Sequence, residues 1–124
     1  MPAAKRLDTV DKETRAEDIK QLVDRLLSMR DAKTAYLCLA LLAPDFNESQ
    51  VRSLVEVICS DQGPDSDETT FYTLHRIPNL PTESRDALLA HIVELGDPTT
   101  CNEVLLFVPN LGPWEEKLRA VLYD

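Results

Sequence analysis

From Ile19 onward, apolar residues recur at steps of three and four, the spacing that places them on one face of a helix. Ile19, Leu22, Val23, Leu26 and Leu27 form the first stripe, on a helix whose other side is charged. Ahead of it, Thr14-Arg15-Ala16-Glu17 has the spacing of a capping box, so the helix is expected to start there, after a flexible terminus over residues 1–13. Ala35 to Ala43 is apolar on every side and lacks β-branched residues, which predicts a central helix contacted from several directions, capped by Asp31 and ended at Pro44-Asp45-Phe46. Asn47-x-x-Gln50 repeats the cap signature before Val51, Leu54, Val55 and Ile58. A polar loop over Asp61–Asp67 leads to a short helix expected at Thr69–Arg76.

The best-marked helix follows. Thr82 is its expected cap, with Glu83 in the first turn and Ala87, Leu88, Ile92 and Leu95 along the buried stripe. Gly96 supplies a left-handed stop and Pro98 forbids continuation. Thr100-x-x-Glu103 reads as another capping box, before Val104, Leu105 and Val108, and Pro113 opens a last helix carrying Trp114, Leu118, Val121 and Leu122.

Three turns in this series share one form. Ala43-Pro44-Asp45-Phe46, Ile77-Pro78-Asn79-Leu80 and Val108-Pro109-Asn110-Leu111 are each apolar, Pro, Asp or Asn, bulky apolar, with prolines 34 and then 31 residues apart. A helix precedes and follows each, and Leu54, Leu88 and Leu118 stand ten, ten and nine residues after their prolines. That period means stacked helical hairpins, none able to bury its apolar face alone. The proline is expected to end the first helix, the Asx side chain to satisfy freed backbone donors, and the bulky residue to fill the corner.

The Glu94-Leu95-Gly96-Asp97-Pro98 junction, after an Arg85-bearing Ala/Leu-rich helix, resembles the HEAT-like repeats of α-solenoids, most strongly over residues 81–108. Over 32–60 the likeness is looser, because Cys59-Ser60-Asp61 and a longer loop replace that junction. The resemblance implies an all-α fold: a right-handed stack of about seven helices, three hairpins plus an N-terminal capping helix at Thr14–Arg30, in one domain over 14–124. It also implies a binding habit rather than a reaction.

Charge narrows the partner. Residues 1–30 hold seven basic and six acidic groups, and the remaining 94 hold six and sixteen, so the repeat body carries −10 of the chain's net −9. Such a field repels phosphate backbones, which excludes direct nucleic-acid binding, and suits a more basic protein. No apolar window is long enough to span a membrane, and the amphipathic first helix lacks the cationic excess of a membrane-surface helix. With no apolar leader at the N-terminus, the expected location is cytoplasmic, with Lys5-Arg6 as thin support for a nuclear one.

Chemistry has little to stand on. Cys38, Cys59 and Cys101 are odd in number, widely spaced and set in apolar stretches, which predicts buried reduced thiols rather than disulfides. No phosphate-cradling glycine loop or nucleophile elbow is present, and His75 and His91 are read as boundary histidines. Counting a calcium loop from Asp61 puts Ser66 at the sixth place and Tyr72 at the twelfth, where Gly and Glu are required. No catalytic residue, metal or cofactor is therefore assigned.

What remains is a surface. In HEAT-like stacks the second helices line the concave side, which nominates Arg52, Glu56, Arg85, Asp86, Glu116 and Arg119, with Trp114 at the last unit. The expected function is a non-enzymatic protein-interaction module, a small acidic adaptor or an inhibitor and neutralising protein. The alternative is a structural subunit or homo-oligomer assembled through exposed solenoid ends, because the last unit has no polar capping repeat after it.

Overall fold

Prolyl turns and one glycine set where several of the helices stop, and the apolar stripes set what each helix touches. The computed structural model describes the backbone of residues 2–123 and the side chains of residues 12–123. Among the described residues seven α-helices run in order: α1 (Pro2–Met29), α2 (Ala32–Leu42), α3 (Glu48–Ser60), α4 (Ser66–Arg76), α5 (Thr82–Leu95), α6 (Pro98–Phe107) and α7 (Trp114–Tyr123). A single 3-10 turn, Ala43–Asp45, joins α2 to α3, and no strand occurs among the described residues.

The hairpins α2/α3, α4/α5 and α6/α7 stack into two layers. First helices touch first helices (α2 to α4, α4 to α6), and second helices touch second helices (α3 to α5, α5 to α7). Helix α1 packs on α3 and so extends the second layer, giving it four members against three. The core lies between the layers. Leu54, Leu88 and Leu118, the register positions of the repeat, are all fully buried, together with Leu39, Ile58, Ile92 and Val104. Burying such a leucine contributes about 1.5–3 kcal/mol, so the between-layer leucines dominate cohesion.

Helix ends follow local chemistry, and several starts lie upstream of the expected residue. Asp31 caps α2, accepting from the Lys33 N–H at 3.2 Å and the Thr34 hydroxyl at 2.8 Å. Asn47 and Gln50 form the reciprocal capping box of α3, at 2.8 and 2.9 Å. Gly96 ends α5 at φ 69°, a left-handed position that any Cβ would strain.

Four expectations are corrected. Thr14–Glu17 lies inside α1, which already runs from Pro2; the flexible terminus expected over 1–13 lies, for side chains up to position 11, outside the described residues. Helix α4 starts at Ser66 rather than Thr69, because the Ser66 N–H reaches the Gly63 carbonyl at 3.1 Å and the turn winds directly into the helix. Thr82 is the first residue of α5, preceded by Pro81 with no side-chain cap. Thr100 lies inside α6: Asp97 is the cap, bonded to the Thr99 N–H and the Thr100 hydroxyl at 3.3 and 2.9 Å, and Pro98 takes the first helical place, where its missing N–H costs nothing.

The shared turn also works differently from the expectation. Asn79 and Asn110 sit at φ 57° and 58°, so asparagine is used for its tolerance of left-handed backbone. Asp45 instead belongs to the 3-10 turn. In the last turn, the freed carbonyls of Pro109 and Asn110 accept from the guanidinium of Arg85, which reaches across from α5.

Candidate functional site

Four of the six charged residues nominated on the second helices are engaged by neighbouring side chains or backbone. Arg52 on α3 lies 3.3 Å from Glu83 at the start of α5. Arg85 is spent on the Pro109 and Asn110 carbonyls, and Asp86 accepts from the indole N–H of Trp114 at 3.1 Å. Lys117 lies over the Trp114 ring at 4.5 Å, and Arg119 pairs with Glu115 one turn away at 2.9 Å. Glu56 and Glu116 stand exposed. The structure thus brings Arg85, Asp86 and Trp114 together at the α5–α7 edge, as ties between neighbouring hairpins. Exposed pairs of this kind contribute little stability, about 0–1 kcal/mol each.

The first-helix layer looks different. Leu41 is 79% exposed, Leu106 67%, Phe107 56% and Leu37 49%, on α2 and α6. Between them α4 supplies a run of rings. Tyr36 of α2 lies 6.1 Å from Tyr72, Tyr72 5.8 Å from Phe71, and Phe71 stacks on His75 at 5.5 Å. Phe107 of α6 closes the series, 6.4 Å from Phe71 and 6.0 Å from His75. Three successive helices therefore share one aromatic and leucine stripe that reaches the surface. Sequence reading missed it for two reasons. Leu37 and Leu41 lie in an apolar run read as buried all round, whereas α2 is the first member of its layer and buries only Ala32, Ala35, Tyr36 and Leu39. The short helix α4 shows aromatic residues but no long periodic stripe.

A groove of about 260 Å³ opens on this face between α2 and α4. Tyr36, Leu37 and Tyr72 form its apolar walls, and Asp65, Glu68 and Lys33 are its charged members toward the helix starts. At the other end the Arg76 guanidinium sits 4.1 Å over the Tyr72 ring and donates to the Tyr36 hydroxyl at 3.3 Å. The neighbouring Glu68 carboxylate holds the Tyr72 phenol above its ordinary pKa.

Buried polar groups elsewhere have structural work. His91 is 3% exposed, not a boundary residue, and its Nε2 lies 2.8 Å from the Asp61 carbonyl and 2.9 Å from Ser66 Oγ. A carbonyl only accepts, so Nε2 carries the proton and donates. Ser66 also donates to the Asp61 carbonyl, at 2.6 Å, and is itself 1% exposed. A serine nucleophile needs a hydroxyl facing a cleft; this one and its histidine lock the α3–α4 loop onto α5. Asp67, beside them, has its pKa raised by burial and by Asp97, with His91 opposing. The thiols are free, with Cys101 buried and Cys38 and Cys59 half-buried. Burial pushes Cys59 and Cys101 up to about 11, with nearby carboxylates adding, which leaves both as thiols rather than nucleophilic thiolates at neutral pH. Among the described residues, no group of three or more His, Cys, Asp or Glu side chains is placed to hold a metal ion.

Among the described residues, no helix is long and apolar enough to cross a membrane. Comparison of the chain with protein-family models, with curated proteins and with solved structures gives no match.

Proposed function

We propose that this chain is a non-enzymatic protein-interaction module of HEAT-like build, an acidic adaptor or inhibitor that receives a more basic protein on the face of α2, α4 and α6. The observation that supports this reading is the stripe of exposed Leu37, Leu41, His75, Phe107 and Leu106, with half-buried Tyr72 among them, on one layer of a body carrying −10. Apolar side chains clustered on one face, with aromatics among them, have the composition of an interaction hot spot. The acidic field would speed encounter with a cationic partner, and the stripe would hold it. A reducing compartment, cytoplasmic or nuclear, accords with three free thiols.

The experiment is affinity capture from the native lysate at low and high salt, with the wild-type chain beside a Leu37→Ser/Phe107→Ser variant. One basic partner, held at low salt, weakened at high salt and lost by the variant, is the expected result. Capture that ignores both salt and the variant would overturn the reading.

A second reading keeps a specific observation of its own. Among the described residues, the large exposed hydrophobics Met29, Leu37, Leu41, Leu106, Phe107 and Tyr123 fall on α1, α2, α6 and α7, and none on the central helices. Assembly through the stack ends, as a subunit or homo-oligomer, would cover them. The mass of the purified protein in solution separates the two readings, because the interaction module is a monomer on its own.

A further inference from the structure

We infer that the groove between α2 and α4 is the anchor point of the proposed face and takes a short peptide segment in which an aliphatic or aromatic side chain lies next to a lysine or arginine. This rests on the interaction reading above and adds the identity of the occupant.

Size comes first. At about 260 Å³ the groove is smaller than the roughly 300–1,000 Å³ that encloses a drug-sized molecule, so it suits one or two side chains. Its walls fix the first of these. Half-buried Tyr72 and the half-exposed Leu37 present apolar surface on the two flanks, and the nearly buried Tyr36 ring, packed on Tyr72 with centroids 6.1 Å apart, is the floor beneath them. A leucine or an aromatic ring entering there would exchange water for carbon on three sides.

Charge fixes the second. At the groove's end nearest the helix starts, Asp65, just before α4, and Glu68 of α4 outnumber Lys33 of α2, so this end is negative while Arg76 balances it at the other. Glu103 of α6 adds to the negative field at Tyr72. At the opposite end Arg76 is pinned by the Tyr72 ring and the Tyr36 hydroxyl, with guanidinium donors left over for the main-chain carbonyls of a bound segment. Arg76 also shows that the Tyr72 ring accepts a cation on its face. A segment would therefore lie with its apolar side chain against Leu37 and the open part of Tyr72, its basic side chain toward Glu68 and its backbone toward Arg76.

The test uses the isotope-labelled full chain and three synthetic peptides of equal length: one of lysine and leucine, one of glutamate and leucine, one of lysine and serine. The lysine–leucine peptide is expected to shift amide signals of α2 and α4 around Tyr36, Glu68 and Tyr72, and the other two to leave them in place. Its affinity is expected to fall about tenfold or more in Glu68→Lys, at an exposed position, and in Tyr72→Leu, at a half-buried one, and to hold in Arg119→Gln on α7. Shifts confined to α6 around Phe107, with Glu68→Lys unaffected, would overturn the groove assignment and leave the interaction face standing. Shifts confined to α3, α5 and α7 would overturn both. Equal binding of the lysine–serine peptide would overturn the apolar anchor, and no binding of any peptide would overturn the occupant.

Discussion

Two substitutions to alanine on the same helix are expected to act in opposite directions. Gly96, at φ 69°, accepts a side chain only by strain, so Gly96→Ala should cost about 1–2 kcal/mol. Ser84, one turn into α5, is 1% exposed and its hydroxyl has no partner among the described residues. Ser84→Ala removes that unpaired group and improves helix propensity, so it should stabilise by up to about 1 kcal/mol. Urea midpoints of the two variants check both signs together. The thiols provide a second residue-scale outcome. Alkylation at neutral pH should mark Cys38 before Cys59 and Cys101, because the latter two are lifted to about 11. Mass mapping of the labelled chain over time reads the order. Gly96 was legible in the sequence because its φ requirement is local, and the Asn47–Gln50 box for the same reason. Burial of His91 was not legible, since its partners are the carbonyl of Asp61 and the hydroxyl of Ser66, 30 and 25 positions away.

At the scale of elements, the helices were legible from apolar spacing, and their starts were displaced wherever two cap signals competed. Asp97 and Thr100 both carry oxygen acceptors, and the structure uses Asp97 because Pro98 fits the first helical place. The junction of α4, α5 and α6 holds one ionisation that opposes folding. Asp67 has a raised pKa in the fold, so its favourable contribution is complete below the ordinary value of 3.8 and is lost as pH rises through the folded value. Asp67→Asn should therefore be more stable than wild type at neutral pH, by about 1 kcal/mol or less given partial solvent screening. The gap should close as pH falls toward and below 3.8. Chemical denaturation at neutral and acid pH measures it, and a gap that widens in acid would contradict the assignment.

At the scale of the molecule, the two-layer stack followed from three prolyl turns, because a repeat fixes its own neighbours. Which layer carries the exposed stripe did not follow. Leu37 and Leu41 are chemically no different from Leu39, which is fully buried; which face of α2 packs on α3 and α4 decides which of them is covered. Charged residues on the second helices, conspicuous in the sequence, are used to join α3 to α5 and α5 to α7. The central claim is that a partner docks on the first-helix layer. The most direct measurement compares affinity for the captured partner in two variants of the full chain: Leu37→Ser/Phe107→Ser on the first helices and Arg52→Glu/Arg119→Glu on the second. The former is expected to lose the partner and the latter to keep it within a few-fold. Loss in the arginine variant with retention in the other would place the interface on α3, α5 and α7 and contradict it.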